Sequence, residues 1–426
     1  MINRTQKYST LAAFGAWVLV GSVLLLVEEP GWSQTFNPAV TIQTATHPNQ
    51  MIAADLNSDG YSDLSISHYS DSGSFIRVLL STGSGFASPV DYSIPNAPGD
   101  RPVTPQYMVA ADLNADGRPD LAYTGFYSSG ATYQRLGILL NSGSGFTSGS
   151  TYSTGDDAAG ITAADLDGNG RMDLAVASRP SQSSSSGNAS VHYQQSDGTF
   201  ALQTYSVGDA TYGIKAADFN RDGHPDLAVL TDDYYYPGQP IRILYGQAGG
   251  LNSTVVRADG PYNVLAMSVD DYDGDDLPDI AMGGSVSDHV LTILHGQDSG
   301  SFAREDLTSP HRPYSIEGAD FDGDGRPDMA MSFTSSGLRI LFGQDDGTLG
   351  NAEDLSLDSK WGELAVGDFN GDGGYDLAVL NTIDSQNHTI NSISVLYNTT
   401  PEPATLLLLG FGAMGILSRR RARRAK

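Results

Sequence analysis

DFNRDGHPD, running from Asp218 to Asp226, is the stretch that decides the fold. Oxygen-bearing side chains stand at positions one, three, five and nine, and Gly223 stands at six. The same spacing recurs as DLNSDGYSD from Asp55, DLNADGRPD from Asp112 and DLDGNGRMD from Asp165. It recurs again as DYDGDDLPD from Asp271, DFDGDGRPD from Asp320 and DFNGDGGYD from Asp368. The starts are 57, 53, 53, 53, 49 and 48 residues apart, so residues 34–400 divide into seven similar units. A fixed period of this length is the mark of a repeat architecture.

Each unit repeats its flanks as well. A small-residue strand precedes the loop, as in Gly213-Ile214-Lys215-Ala216-Ala217. An apolar strand follows, as in Leu227-Ala228-Val229-Leu230, and then a third, as in Ile241 to Tyr245. A Gly-rich turn leads to a fourth, as in Thr199 to Thr204. Four short strands per unit, bounded by turn residues, predict the blade of an all-β propeller. The last unit stops at its third strand, Ile393 to Tyr397, while Phe36 to Ile42 reads as a fourth strand with no unit of its own. The N-terminal strand is therefore expected to complete the seventh blade and leave no open sheet edge.

Oxygen ligands at alternate positions of a tight loop suit a hard cation, Ca²⁺ above all. The side-chain candidates in the first two loops are Asp55, Asn57, Asp59, Asp63, Asp112, Asn114, Asp116 and Asp120. Loops three and four offer Asp165, Asp167, Asn169, Asp173, Asp218, Asn220, Asp222 and Asp226. Loops five and six offer Asp271, Asp273, Asp275, Asp279, Asp320, Asp322, Asp324 and Asp328. The seventh offers Asp368, Asn370, Asp372 and Asp376. A main-chain carbonyl at position seven is expected to add one oxygen per loop, from Tyr61, Arg118, Arg171, His224, Leu277, Arg326 and Gly374. Up to seven Ca²⁺ follow, the fifth loop being the irregular one because Asp276 replaces the glycine at position six. Mg²⁺ suits these loops less, because its octahedron usually takes fewer protein oxygens. An EF-hand would need a bidentate acid at position twelve. That position holds Ile66, Tyr123, Val176, Val229, Met282, Met331 and Val379, so EF-hands are excluded.

With these loops and strands in place, residues 34–400 resemble the FG-GAP/VCBS repeats of the integrin-α-like propellers. Tyr212-Gly213 and Trp361-Gly362 resemble the "FG" element, and Met282-Gly283-Gly284 is a degenerate "GAP" element. The resemblance implies structural Ca²⁺ on the face opposite the usual partner-binding face. It spans adhesins, matrix proteins, lectins and accessory domains of polysaccharide-active enzymes, so it does not by itself name a function.

The two ends read as targeting segments. Arg4 and Lys7 precede an uncharged run over residues 11–27, and Gly31-Trp32-Ser33 follows. This is the order of a signal peptide over 1–33, cleaved before Gln34; an uncleaved anchor is the alternative. At the other end come Pro401-Glu402-Pro403, an uncharged run over 404–417 and six basic residues from Arg419 to Lys426. A 14-residue helix rises only about 21 Å, short of a bilayer core of about 30 Å. Residues 401–426 resemble a PEP-CTERM sorting signal. That resemblance implies export in a diderm bacterium, transient inner-membrane anchoring and processing by an exosortase-type protease. The implied destination is the cell surface or extracellular matrix.

Composition fits an exported metal-loop protein. The 426 residues include no Cys, 50 Asp and Glu against 23 Lys and Arg, and a net charge of -27. Without Cys there are no disulfides, thiolate metal sites or thiol nucleophiles. The acidity argues against a nucleic-acid partner.

For a partner, the face opposite the loops is the expected one. It collects Tyr107, Tyr212, Tyr262, Tyr314 and Trp361, and the run Tyr234, Tyr235 and Tyr236 beside Asp232 and Asp233. Aromatic faces beside carboxylates suit sugar stacking or cation capture; packing between blades is the plainer role for the five residues that precede first strands. No HExxH, G-x-S-x-G or P-loop spacing occurs, and no set of residues forms a catalytic constellation. The expectation is a monomeric, noncatalytic binder of surface polymer or protein. A glycan-binding lectin is the alternative, with a polysaccharide- or lipid-degrading enzyme third.

Overall fold

A computed structural model describes residues 35–399, except 71–72, 98–101, 129–131, 155–156, 180–186, 209, 232–237, 262, 285–289, 299, 336, 358–359, 361 and 384–388. The leader, the sorting tail, Tyr234 to Tyr236, Tyr262 and Trp361 lie outside the described residues. Those described all belong to one compact unit that starts at Thr35.

Seven four-stranded antiparallel sheets make up the body, and among the described residues there is no helix. Six sheets take their strands in chain order. Blade four, for example, runs Thr211–Ala217, Asp226–Thr231, Ile241–Gln247 and Gly250–Ala258. The seventh is composite. Glu363–Gly367, Asp376–Ile383 and Thr389–Leu396 are followed by Val40–Gln43 from the other end of the chain. Val40 faces Val395 and Gln43 faces Ser392 across this seam. The N-terminal strand is shorter than the sequence suggests. Phe36 makes an isolated bridge to Asn398, and Pro38, which has no N–H to give, separates it from the ladder.

Burial follows position within the blade. The second strands are covered on both faces: all six residues of Asp63–His68, Asp226–Thr231, Asp279–Gly284 and Asp328–Phe333 are buried. This is why most of them read as apolar runs after their first Asp; in blade one Ser65 and Ser67 interrupt the run and are buried all the same. The fourth strands form the rim, and Phe200–Ser206 is mostly exposed. Between blades three and four, Ala175, Val191, Ile214, Leu227 and Val229 form one continuous core.

The first strands of all seven blades line a common axial cavity of about 830 Å³. Small residues near their loop ends, such as Ala53, Ala54, Ala110 and Ala319, let seven backbones converge there. The nine-residue loops leave this inner strand and lead to the buried second strand, so every loop is held at one end of the channel by core on both sides.

Candidate metal centres

Each loop is wound around the carboxylate at position one. In the fourth, Asp218 accepts the N–H of Asp222 and of Gly223 at 3.1 and 2.8 Å. Asn220 accepts the same Asp222 N–H at 2.9 Å, and Asp222 accepts the N–H of His224 at 2.9 Å. The first loop repeats this with Asp55, Asn57, Asp59, Gly60 and Tyr61, as do the others with small variations. Side-chain oxygens of positions one, three and five thus turn toward the inside of one bend.

Two positions in the bend need left-handed backbone. Position six is glycine with φ near 90° in the first and seventh loops, and Asp276 takes φ 65° in the fifth. Position four is left-handed too: Gly168, Gly274, Gly323 and Gly371 adopt φ of 73 to 75°, and Ser58, Ala115 and Arg221 adopt 62, 59 and 55°. Position four is the less conspicuous of the two in the sequence, because it carries glycine in only four copies of seven.

Position nine has a second job that the spacing does not reveal. Its carboxylate is fully buried in all seven loops. In blade four one oxygen of Asp226 accepts the Phe219 N–H at 2.9 Å, and the other accepts the Gly246 N–H, at the end of the third strand, at 2.6 Å. Asp63, Asp120, Asp173, Asp279, Asp328 and Asp376 make the same pair of bonds. The residue at position two, Leu56, Leu113, Leu166, Phe219, Tyr272, Phe321 or Phe369, is buried beside it and anchors the loop in the core.

Burial makes these carboxylates poor anions on their own. Loss of solvation pushes Asp63 and Asp173 up to about 6, and Asp226, Asp328 and Asp376 up to about 7. The two backbone N–H groups pull the other way, and the acids at positions one and five add repulsion in the fourth and seventh loops. Asp120 is raised for the same leading reason. A cation in the bend would reverse the balance, so the donor set fits a hard divalent ion. Oxygens of three acids come within 4.8 Å of one another in Asp165–Asp167–Asp173, Asp271–Asp273–Asp275 and Asp320–Asp322–Asp328. The first, second, fourth and seventh loops have Asn at position three, an amide oxygen in place of the third carboxylate. Basic side chains partly neutralise two rims: Arg118 pairs with Asp116 at 2.7 Å, and Arg326 pairs with Asp324 and, at 2.8 Å, with Asp345.

The fifth loop carries a histidine. His295 Nδ1 lies 3.2 Å from Asp279 and 3.3 Å from Asp273, and Nε2 lies 3.1 Å from Glu305. Hydrogen bonding to Asp279 holds its imidazole up at about 9 against the opposing effect of burial. Neither His295 nor Glu305 was legible as a site residue from the nine-residue motif. Aligning third strands finds the histidine, which stands where the other blades place Leu80, Leu140, Tyr193, Tyr245, Phe342 and Tyr397.

At the other end of the channel, Tyr107, Tyr212 and Tyr314 converge with Asn49, Gln50, Gln106 and Glu363 around a recess of about 320 Å³. Tyr212 is 42% exposed. Burial pushes Glu363 up to about 8, with the neighbouring Glu317 adding repulsion. Asp270, Glu317 and Lys215 line the channel deeper in; these four charged residues were also unseen in the sequence, since they sit at strand positions that carry small or apolar residues in most blades.

Comparison with known proteins matches the FG-GAP-like repeat over residues 55–123, 112–176, 179–229, 271–331 and 320–379. It matches the PEP-CTERM protein-sorting motif over residues 399–424. No curated protein matches. Among solved structures, BBS1N in complex with ARL6DN, soaked with lead, is similar with a TM-score of 0.55 at 12% identity, over 86% of this chain and 98% of that one. At that identity the likeness concerns the fold alone.

Proposed function

The chain belongs to the FG-GAP-like repeat family, and from that premise we propose that it is an exported, Ca²⁺-stabilised propeller that binds surface or matrix polymer, or another protein, without catalysis. The sorting motif marks an exported protein that is processed at its C-terminus by an exosortase. In this reading residues 1–33 are removed as a signal peptide, residues 34–400 form the propeller, and the tail 401–426 anchors it in the inner membrane until processing.

One observation carries the reading: seven loops bring carboxylate and amide oxygens into equivalent bends, each ending on a buried Asp. Asp and Asn side chains at positions one, three, five and nine would hold the ion, with the position-seven carbonyls as further donors. Bound Ca²⁺ would supply the positive charge that these buried carboxylates lack. An ion bound only by the folded state adds about 2.7 kcal/mol per site at a hundred times its Kd. Thermal melts in EDTA and in Ca²⁺, with elemental analysis of the dialysed protein, test this. An unchanged melting temperature and no bound calcium would sink it.

A second reading is supported by the tyrosine-lined recess. Three aromatic rings, a carboxyl group and three amide side chains suit a sugar, which stacks its apolar face and hydrogen-bonds its hydroxyls. A glycan array, with Tyr212→Ala as control, distinguishes a lectin from a protein-binding adhesin. Intact mass of the cell-surface form settles both terminal cleavages.

A further inference from the structure

The fifth loop departs from its six siblings in two residues, Asp276 and His295, and the second of these meets a fourth-strand acid. Position six is Asp276 in place of glycine; the third strand supplies His295 where the others supply carbon side chains or phenols; and the fourth strand supplies Glu305 behind that histidine. We propose that this loop is a mixed imidazole–carboxylate site for a divalent ion of borderline softness, Zn²⁺ foremost, held by Asp273, Asp279 and His295, with Glu305 as a positioning residue.

The ligand atoms are already arranged. One atom each from Asp273, Asp279 and His295 lies within 4.8 Å of the other two. The contacts of His295 Nδ1 to the two carboxylates are 3.3 and 3.2 Å. Zinc–ligand lengths of about 2.0–2.1 Å place neighbouring ligands of a tetrahedral ion about 3.3–3.4 Å apart. The imidazole therefore stands about one tetrahedral edge from each carboxylate. Asp273 also belongs to the group Asp271–Asp273–Asp275, which leaves the fourth position to another loop oxygen or to water.

Orientation supports the same conclusion. A metal-binding histidine commonly gives its second ring N–H to a carboxylate, which fixes the tautomer and raises the basicity of the ligating nitrogen. Glu305 stands in that relation, 3.1 Å from Nε2, and the His295 side chain is only 14% exposed. On binding, Nδ1 turns its lone pair to the metal and its proton leaves to solvent. Imidazole shifts the preference of an oxygen loop from Ca²⁺ toward Zn²⁺, because hard cations gain little from nitrogen.

The inference uses the fifth loop's geometry and does not depend on Ca²⁺ in the other six. The test uses the whole untagged chain, stripped of metal and dialysed against Zn²⁺ with Ca²⁺ in large excess, then analysed for both elements. Wild type should retain about one Zn²⁺ per chain. His295→Phe, which installs the side chain of blade six, should retain none while keeping its calcium. Glu305→Gln should weaken zinc by about 10- to 100-fold. Co²⁺ in place of Zn²⁺ should give wild type a ligand-field spectrum that His295→Phe lacks. If wild type keeps no zinc against calcium, or His295→Phe keeps the same zinc and the same Co²⁺ spectrum, the proposal is overturned. Should His295→Phe fail to fold, the Glu305→Gln affinity decides: unchanged zinc affinity there overturns it too. Loss of calcium from every variant alike would fail the reading of the other loops and leave this result readable on its own.

Discussion

The hydroxyl of Ser81 donates a hydrogen bond to the main-chain carbonyl of Phe369, 288 residues further along the chain. Ser81 lies two residues beyond the third strand of blade one, Phe75–Leu79, and Phe369 is position two of the seventh loop. The same bond joins other neighbours: Asn141 donates to Leu56, Gln194 to Leu113, and Asn398 to Phe321. In blades four to six the equivalent residue is Gly246, Gly296 or Gly343, where a side chain would strike the carbonyl of Pro225, Pro278 or Pro327. The Ser81 bond is thus the copy of a blade-to-blade stitch that spans the chain's two halves.

Removing it should loosen the ring. Ser81→Ala leaves the carbonyl of Phe369 without that donor in a buried place, at a cost of about 1–3 kcal/mol. Urea unfolding of the variant should show the loss, and Ser84→Ala, in the exposed turn nearby, should not. Equal stability of the two would remove Ser81 from the list of ring-closing contacts.

Position four gives a prediction of opposite sign. Ala115 sits at φ 59°, a conformation that costs an L-residue about 1–2 kcal/mol, while glycine loses about 0.5–1 kcal/mol through its freer unfolded chain. Ala115→Gly should therefore stabilise by roughly 0.5–1 kcal/mol, the balance of those two terms. Asp276→Gly should act likewise but less, since Asp tolerates this region better. A fall in melting temperature for Ala115→Gly would count against the loop backbone described above.

Proton binding should oppose the usual trend. Five position-nine acids, Asp63, Asp173, Asp226, Asp328 and Asp376, are raised by burial to about 6 or about 7 from an ordinary 3.8. The folded chain then binds more protons than the unfolded chain between those limits, so stability is full below the lower one and is lost as pH rises through the upper. Metal-free protein should melt lower at about pH 7.5 than at about pH 5, and Ca²⁺ should remove or invert that difference because it competes with the protons. Calorimetry of both forms at the two pH values is the check; a metal-free form more stable at the higher pH refutes it.

Asp270 and Gly318 form a matched pair across blades five and six. A Cβ on Gly318 would collide with the Asp270 carboxylate. Elsewhere the residue before the loop is alanine or glycine. Gly318→Ala alone should destabilise by about 1–3 kcal/mol through overpacking. Asp270→Ala should rescue part of that loss, because the colliding carboxylate goes while the Cβ of residue 270, 3.0 Å from the new methyl, stays. Additive effects of the two changes would mean that they do not share this space.

The repeat made the architecture readable. Seven copies of one loop fix the unit, and the flanking apolar runs fix the strands. Residues 34–400 could be divided into blades because covering a second strand on both faces favours an apolar run in most units, and the loop marks the unit where Ser65 and Ser67 break that run. The composite blade was visible too, since Val395 lacked a partner strand until Val40 was considered. What stayed hidden depends on convergence rather than on pattern. Glu363, Glu317 and Asp270 are isolated acids in three different units, and only the ring brings them to one channel. His295 lies sixteen residues from Asp279, outside any loop motif, and reaches it because the third strand runs back beside the second. The double bonding of the position-nine acid likewise needs the third strand's end, which no local spacing encodes.

The composite seventh blade has a mechanical consequence. Thr399 donates its N–H to the Thr35 carbonyl at 2.8 Å, so the two ends of the described chain leave the ring at one spot. Tension between them would meet the ladder from Val40–Val395 to Gln43–Ser392 end-on and break its bonds one after another, as a zipper opens, rather than all at once in shear. A chain tethered at one end alone carries no load across that seam; one pulled at both should give way there first, at low force, with six blades still folded.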